Sequence, residues 1–436
     1  MANSKIDGMV EAGSQQQWYR RNSEWGGKGW LGGAWNMVLA NNNALEPTGS
    51  TGVDSWPNFP FTWIPQLPVS VDKPFLTYSN NEWAVLVPHA VQNHKAGIDW
   101  LNNGSRKTWG ELYIAKPVGN GGDDAAPINE ALSNGKSIIL TPGEYNLNES
   151  LTIINPDTVV LGLGLPTLNA TGTGPAIKVA DVDGVRLAGF TVDAGQHTAN
   201  TTLIEVGAKD SHVNHANNPT ALLDVYCRVG GEHDNKVAAQ SCLTINSNDV
   251  IGDNLWLWRA DHDTNYPVVV PYNINPADSG IIINGDRVIM QGLAVEHFLK
   301  YQTVWNGDFG QLFFYQSELA YDVPPQWGHD GVQGYASLQV NAPSHFTAHG
   351  VGIYSFFAHT PQPVYADSAI EAVTKPGIHF EHLFSVYLNG DDQNPDVKSG
   401  IKHIINHAGD EANAAISTKH EGNKKSLLEQ WSGAPG

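Results

Sequence analysis

From residue 151 onward one short pattern keeps returning. It has an alternating apolar strand, an Asn or Asp turn, a second apolar strand, and usually a Gly near its end. LTIINPDTVVLGLG (151–164), IKVADVDGVRLAGF (177–190), LTINSNDVIGDNLW (243–256), IIINGDRVIMQGLA (281–294) and LQVNAPSHFTAHGVG (338–352) all carry it. A unit this short cannot bury its own apolar face, so copies must stack on one another. Like residues then fall into columns. Asn155, Asp181, Asn246, Asn284 and Asn341 are expected to share one turn column and to hydrogen-bond along it. The fold expected is all-β, a parallel β-helix with coils about 4.8 Å apart. An immunoglobulin-like sandwich would need hairpin dipeptides at short intervals, whereas these repeats run in one direction.

The chemistry of the surface narrows the partners. Among 436 residues, 24 Lys+Arg face 44 Asp+Glu, a formal charge of −20. Binding nucleic acid needs clustered basic residues, so that partner is excluded. A polyanionic sugar is disfavoured for the same reason, and a neutral ligand fits better. No apolar run approaches the roughly 18 residues of a membrane span, and the first residues show neither a basic region nor an apolar core of a signal peptide. Cys227 and Cys242 could form one disulfide; no CxxC is present to hold zinc.

Along the chain, residues 1–115 are rich in Trp, Asn, Gly and Pro with little periodicity and begin as if cut from something longer. Within them Phe75–Tyr78 and Trp83–Pro88 read as strands around a Ser79-Asn-Asn turn. KPVGNGGDD (116–124) reads as a boundary, and Ala125 to Lys136 as one short helix ended by Gly135. The repeats occupy a domain of 116–415, followed by a tail of 416–436.

The densest polar and aromatic stretch is 292–330, GLAVEHFLKYQTVWNGDFGQLFFYQSELAYDVPPQWGHD. Flat rings beside carboxylates suit a sugar: rings for the apolar face of a pyranose, oxygens for its hydroxyls. Glu296 and Glu318 lie about one coil apart, so on equivalent strands they would stack in adjacent coils. Two carboxylates that close cannot both ionise freely, and one is then held protonated. The plainer alternative makes both solvated surface residues, or ion partners of Lys300 and Arg259. Gln302, Tyr315 and Gln316 flank the pair and are expected to hold sugar hydroxyls, although strand alternation turns about half of such residues inward. Tyr321 and Asp322 follow the second glutamate and are expected to contact substrate as well. Trp305 and Trp327 are expected as sugar platforms or as loop packing. Asp261, His262 and Asp263 lack the companion ligands of a metal site, Asp391-Asp392 has the composition of a solvated turn, and Tyr354 reads as core. His297 should face away from Glu296 on a strand and is expected to be structural.

From about residue 120 to 410 the chain resembles the second β-helix of glycoside hydrolase family 55, the β-1,3-glucanases built from two tandem β-helices. GKSIILTPGEY, TVVLGLGLPTL, VADVDGVRLAGFTVDAG, LWLWRADHD, GLAVEHFLKYQTVWN, FYQSELAYD and GVGIYSFF carry the resemblance, and the ordered set EH-x3-YQ, Q-S-E-L-x-Y and G-x-YSFF is specific. The segment before residue 120 resembles the end of the first β-helix and its junction. The resemblance implies a right-handed, pectate-lyase-like solenoid that hydrolyses β-1,3-glucan, exo-acting and inverting, without cofactor or metal. It implies that Glu318 is the catalytic acid and Glu296 a second active-site residue. It also implies a secreted protein, expected to act as a monomer. Inverting enzymes hold their two carboxyls roughly 6.5–9.5 Å apart. Directly stacked neighbours are closer, so Glu296 is expected to tune Glu318 rather than to serve as base. Two alternatives compete: a polysaccharide lyase acting on a uronate, and a non-catalytic glucan-binding fragment.

Overall fold

The computed structural model describes residues 1–11, 17–25, 30–31, 36–41, 61–92, 104–117, 124–195, 198–231, 236–357, 360, 362–388, 399–409, 412–413 and 425–433. Asp391 and Asp392 lie outside them. The two strands of each repeat go to two different sheets, 13-stranded and 10-stranded among the described residues, whose neighbours pair in parallel from coil to coil. This is a parallel β-helix.

Alternation along each strand sends every second side chain inward, and parallel register stacks those side chains. In the smaller sheet Ile153, Val179, Val206, Ile245, Ile283, Trp305 and Val340 form one such column, all buried. Each removes a whole side chain from water, worth about 2 kcal/mol. Trp305, expected as a sugar platform, is therefore a rung of the core, edge-on to Phe346 with ring centroids 4.9 Å apart. Gly310 leaves room for it, since a Cβ there would come within 2.3 Å of the indole nitrogen.

The turn column differs in membership from the expectation. Asn284 donates to Asn246 (2.8 Å), Asn306 to Asn284 (2.8 Å) and Asn341 to Asn306 (3.0 Å). Asn155 and Asp181 stand one residue further along, because Ile154 and Ala180 hold the equivalent register. Asn155 donates instead to the Leu132 carbonyl, and Asp181 accepts from His215 and Ser247.

The long strands of the larger sheet bend at one position. Gly189, Asp224, Asn254, Gly292, Phe314, Gly350 and His382 follow one another through the coils, and every one has a positive φ, between +53° and +73°. A left-handed residue turns the strand, and Gly or Asn/Asp takes that conformation most easily. The recurring repeat glycine is thus partly this bend column. A short stack formed by the N-terminal residues lies against it, with Gln17–Arg21, Asn36–Ala40 and Phe61–Ile64 pairing in parallel. The Asn36 side-chain amide donates to the Gly350 carbonyl (3.0 Å), Thr62 meets His382 (2.8 Å), and Gln291 donates to the Val69 carbonyl (2.7 Å). Arg21 bridges Asp72 and Asp253, both largely buried.

Local readings hold elsewhere. Phe75–Ser79 and Glu82–Pro88 pair antiparallel across Asn80 and Asn81, both at positive φ as a tight hairpin turn requires. The helix Ala125–Ser133 is capped by the Asp124 carboxylate on the Ala126 N–H, and Gly135 follows it at φ +74°. Ile128, Ala131 and Leu132 cover the first coil. Lys425–Ser432 closes the larger sheet by pairing antiparallel with Gly377–Tyr387. Cys227 and Cys242 are joined in a buried disulfide.

Candidate active site

Beyond the bend, the outward positions of the larger sheet form a second column. Asp193, Arg228, Trp258, Glu296, Glu318 and Tyr354 occupy the same register in successive coils. Asp193 and Arg228 neutralise each other (2.6 Å), so the next rungs, Trp258, Glu296 and Glu318, carry the column's unspent chemistry. Two residues earlier, Tyr226, Trp256, Ala294, Gln316 and Gly352 form the adjacent column. Trp256 and Trp258 therefore share one face, their rings stacked at 5.5 Å and 22°.

Glu296 and Glu318 are direct register partners. Trp256 Nε1 donates to Glu296 Oε2 at 2.9 Å. The Glu318 side chain is 21% exposed, Tyr321 donates its hydroxyl to Oε2, and the His297 ring lies 4.0 Å away. Burial pushes the Glu318 carboxyl above the usual carboxylate range. His297 opposes that shift, Glu296 adds to it, and the Tyr321 hydrogen bond partly offsets it. The Tyr321 phenol is itself raised by burial and by the adjacent carboxylate. A carboxyl so placed keeps its proton at a higher pH than a free one and can hand it to a leaving oxygen.

His297 does not face away from this group. It sits at φ +67°, immediately after the strand ends, so the alternation that would have turned it aside no longer applies. Its Nε2 lies 3.9 Å from Asp261 Oδ1 as well as 4.0 Å from Glu318 Oε2, and its ring meets Tyr321 edge-on at 4.5 Å. Asp261 Oδ1 also accepts from Trp258 Nε1 (3.2 Å) and contacts His262 Nδ1 (3.0 Å). Asp263 serves the local turn instead, accepting from the Asn265 and Tyr266 amides at 2.8 Å.

The other expected substrate contacts divide. Gln316 and Tyr321 are on the side of the glutamates. Tyr315 is the rung between Leu293 and Val351 in an inward column, fully buried, its hydroxyl with Thr303 (2.9 Å) and Ser337 (3.1 Å). Gln302 is fully buried and closes its own turn: its Oε1 accepts from the Phe298 amide at 2.7 Å and its Nε2 donates to the Phe298 carbonyl at 2.9 Å. Trp327 packs in the core and donates to the Leu299 carbonyl at 2.9 Å. Asp322 lies near the buried Arg259, whose pKa is lowered to about 10 by burial and supported by that charge. Composition flagged these residues as polar or aromatic; register turned Tyr315 inward, and turns carried Gln302 and Trp327 into the interior. Register brings in Trp256 and Trp258, and the turns just past the strand ends bring in Asp261 and His297, none of which was expected in the site. Aligning the repeats strand by strand, Trp258 over Glu296, would have found the first two.

Neither expected cation pairs with the glutamates. Lys300 is held by Asp278 (2.8 Å), and Arg259 donates to the carbonyls of Ile274, Asn275 and His297. A cavity of about 690 Å³ between the N-terminal stack and the solenoid is lined by Tyr19, Arg21, Asp253, Trp256, Gly292 and Ala294 among others. It shares Trp256 with the site but includes neither glutamate.

Comparison with known proteins gives three findings. Residues 114–318 match the model of the LAM55 pectate lyase-like domain. An exo-beta-1,3-glucanase of Streptomyces sp. (strain SirexAA-E / ActE) is 38% identical over 418 residues, which are 94% of this chain. The chain spans 64% of that protein's length. The solved structure of sacteLam55A from Streptomyces sp. SirexAA-E superimposes with a TM-score of 0.87 at 36% identity, covering 99% of this chain and 73% of that one. A glutamate-to-alanine variant of the same protein, in complex with glucose, superimposes with a TM-score of 0.86.

Proposed function

The chain belongs to glycoside hydrolase family 55, and on that footing we propose that it hydrolyses β-1,3-glucan, acting from a chain end and with inversion, with Glu318 as the general acid. The observation that carries the reading is the state of Glu318: a carboxyl set deep beside a second carboxyl, pushed above its usual range by burial, at the edge of an exposed aromatic face. The name of the Streptomyces relative supports the substrate class, and the glucose complex of that relative's variant supports a glucose-binding cleft.

In this reading one glucosyl unit lies against Trp256 and Trp258. Glu318 protonates the glycosidic oxygen as the C1–O bond breaks, and water attacks C1 from the opposite face. Glu296, tied to Trp256 and stacked beside Glu318, helps it hold its proton until the leaving group takes it. Both glutamates come from one chain, so a monomer suffices. A polymeric substrate argues for action outside the cell. A uronate lyase would need a free cation at the sugar carboxylate, and Lys300 and Arg259 are both committed elsewhere.

Laminarin is the test substrate. Glucose should be the first product, and its fresh anomer, read by proton NMR, should be α. Glu318→Gln should lower laminarin turnover by about 10²–10⁴-fold. Binding without cleavage by the unaltered protein would refute the hydrolase reading, and a fresh β-anomer would refute inversion.

A further inference from the structure

The glutamates close the C-terminal ends of their strands; at the opposite ends of the larger sheet, the turns hold an almost wholly buried histidine. His215 lies in the segment 207–220, which joins Thr198–Val206 to Ala221–Val229. Its Nδ1 is 2.7 Å from Asp183 Oδ1 and its Nε2 is 2.9 Å from Asp181 Oδ1. An ionised carboxylate only accepts, so each ring nitrogen must donate and the ring must carry both protons. Burial raises the Asp181 pKa, but the hydrogen bonds from Ser247 (2.7 Å) and His215 outweigh it and leave that carboxyl below its usual range. Burial likewise works against a charged ring, yet the hydrogen bonds to Asp183 and Asp181 prevail, and the His215 pKa is raised.

Asp181 and Asp183 belong to the turn between Ile177–Val179 and Arg186–Ala194, in the preceding coil. The third carboxylate facing this residue, Asp249, comes from the following coil. It takes the His215 backbone N–H at 2.8 Å and is itself paired with Arg287 at 2.7 Å. One residue therefore ties 207–220 to the coils on both sides. The same segment reaches the N-terminal stack: the Ala216 carbonyl accepts from Gln92 Nε2 at 3.3 Å, and Asn217 and Asn218 line a cavity of about 490 Å³ with Val87, Pro88 and Arg106 among others. We propose that His215 is a pH-operated latch: as a cation it clamps 207–220 between neighbouring coils, and loss of one ring proton to water releases that segment and the wall it gives to this cavity. Without that proton one nitrogen turns a lone pair toward a carboxylate, and attraction becomes repulsion. Because the folded pKa is raised, the clamp is complete below the ordinary histidine pKa and is lost as pH rises through the folded value. The latch does not depend on the hydrolase reading.

Asp183→Asn is the first variant, because the Asp183 side chain is 54% exposed and the amide keeps its shape; His215→Gln is the second. Ring protonation is read by NMR in ¹⁵N-histidine-labelled protein, the His215 signals being those absent from His215→Gln. Should that variant fail to fold, the signals displaced by Asp183→Asn give the same assignment. Both ring nitrogens should be protonated at neutral pH and should titrate above the ordinary histidine range, and in Asp183→Asn the titration should move to lower pH. Amide exchange followed by mass spectrometry, corrected for the intrinsic rate, reads the release of the segment. Protection of 207–220 should fall about tenfold as the ring titrates, while Ala221–Val229 and Ala239–Ile245 stay protected. A neutral ring at neutral pH, or protection of 207–220 that does not follow the titration, would overturn the proposal and leave His215 a packing residue.

Discussion

As the proposed general acid, Glu318 would meet two opposed demands, a carboxyl that must ionise during turnover and a position that disfavours its charge. Its folded pKa is raised, so over the window above the ordinary carboxylate pKa the folded protein keeps a proton that the unfolded chain has lost. Stability from this group is full below that window and falls as pH rises through it. Glu318→Gln removes the ionisable group and keeps the shape. The variant should match the unaltered protein in urea unfolding near about pH 4 and exceed it near neutrality. Equal stability at both pH values would mean that burial does not tax this carboxyl. A loss of activity accompanied by a gain of stability is the signature expected of a functional residue, and a packing residue would lose both.

At the scale of the strand, the bend column sets where the site can be. Each long strand runs outward columns on both sides of one left-handed residue, and the glutamates lie on its C-terminal side. Gly350→Ala would put a Cβ 2.3 Å from Val38 at φ +69°, and Gly292→Ala one 2.9 Å from Tyr19 at the same φ. Each should cost about 1–3 kcal/mol, read by denaturant unfolding, whereas Gly8→Ala, with open space around it, should stay near zero. A neutral Gly350→Ala would contradict the bend as a constraint. These strands also explain what the sequence disclosed. Repeats, helix cap and hairpin were legible because each is written in local chemistry: period two, Asp124 before an apolar helix face, Asn-Asn between strands. The pairing of Glu296 with Glu318 could be inferred from their one-coil spacing. Side-chain direction was not legible. Trp305, Tyr315, Gln302 and Trp327 look like sugar contacts by type, but a single step of register or a turn sends them inward. His297 was misjudged for the converse reason, because a left-handed residue broke the alternation.

At the scale of the molecule, the solenoid supplies the glutamates and the N-terminal stack walls the cavity beside Trp256. Arg21 links the two bodies through Asp72 and Asp253, with both Arg21 and Asp253 almost wholly buried. Arg21→Ala leaves Asp253 as an uncompensated buried charge and should cost about 3–5 kcal/mol. Calorimetry should then show the stack melting ahead of the solenoid; a single unshifted transition would mean that apolar contacts such as Tyr19 on Phe314 hold the interface without it. Proton donation by Glu318 is isolated by one comparison. Unaltered protein and Glu318→Gln are given laminarin and, in parallel, an activated aryl β-glucoside whose leaving group needs no proton. The variant should lose laminarin hydrolysis and keep most of its aryl glucoside hydrolysis. Equal loss on both, or laminarin hydrolysis unaffected by the substitution, would contradict it.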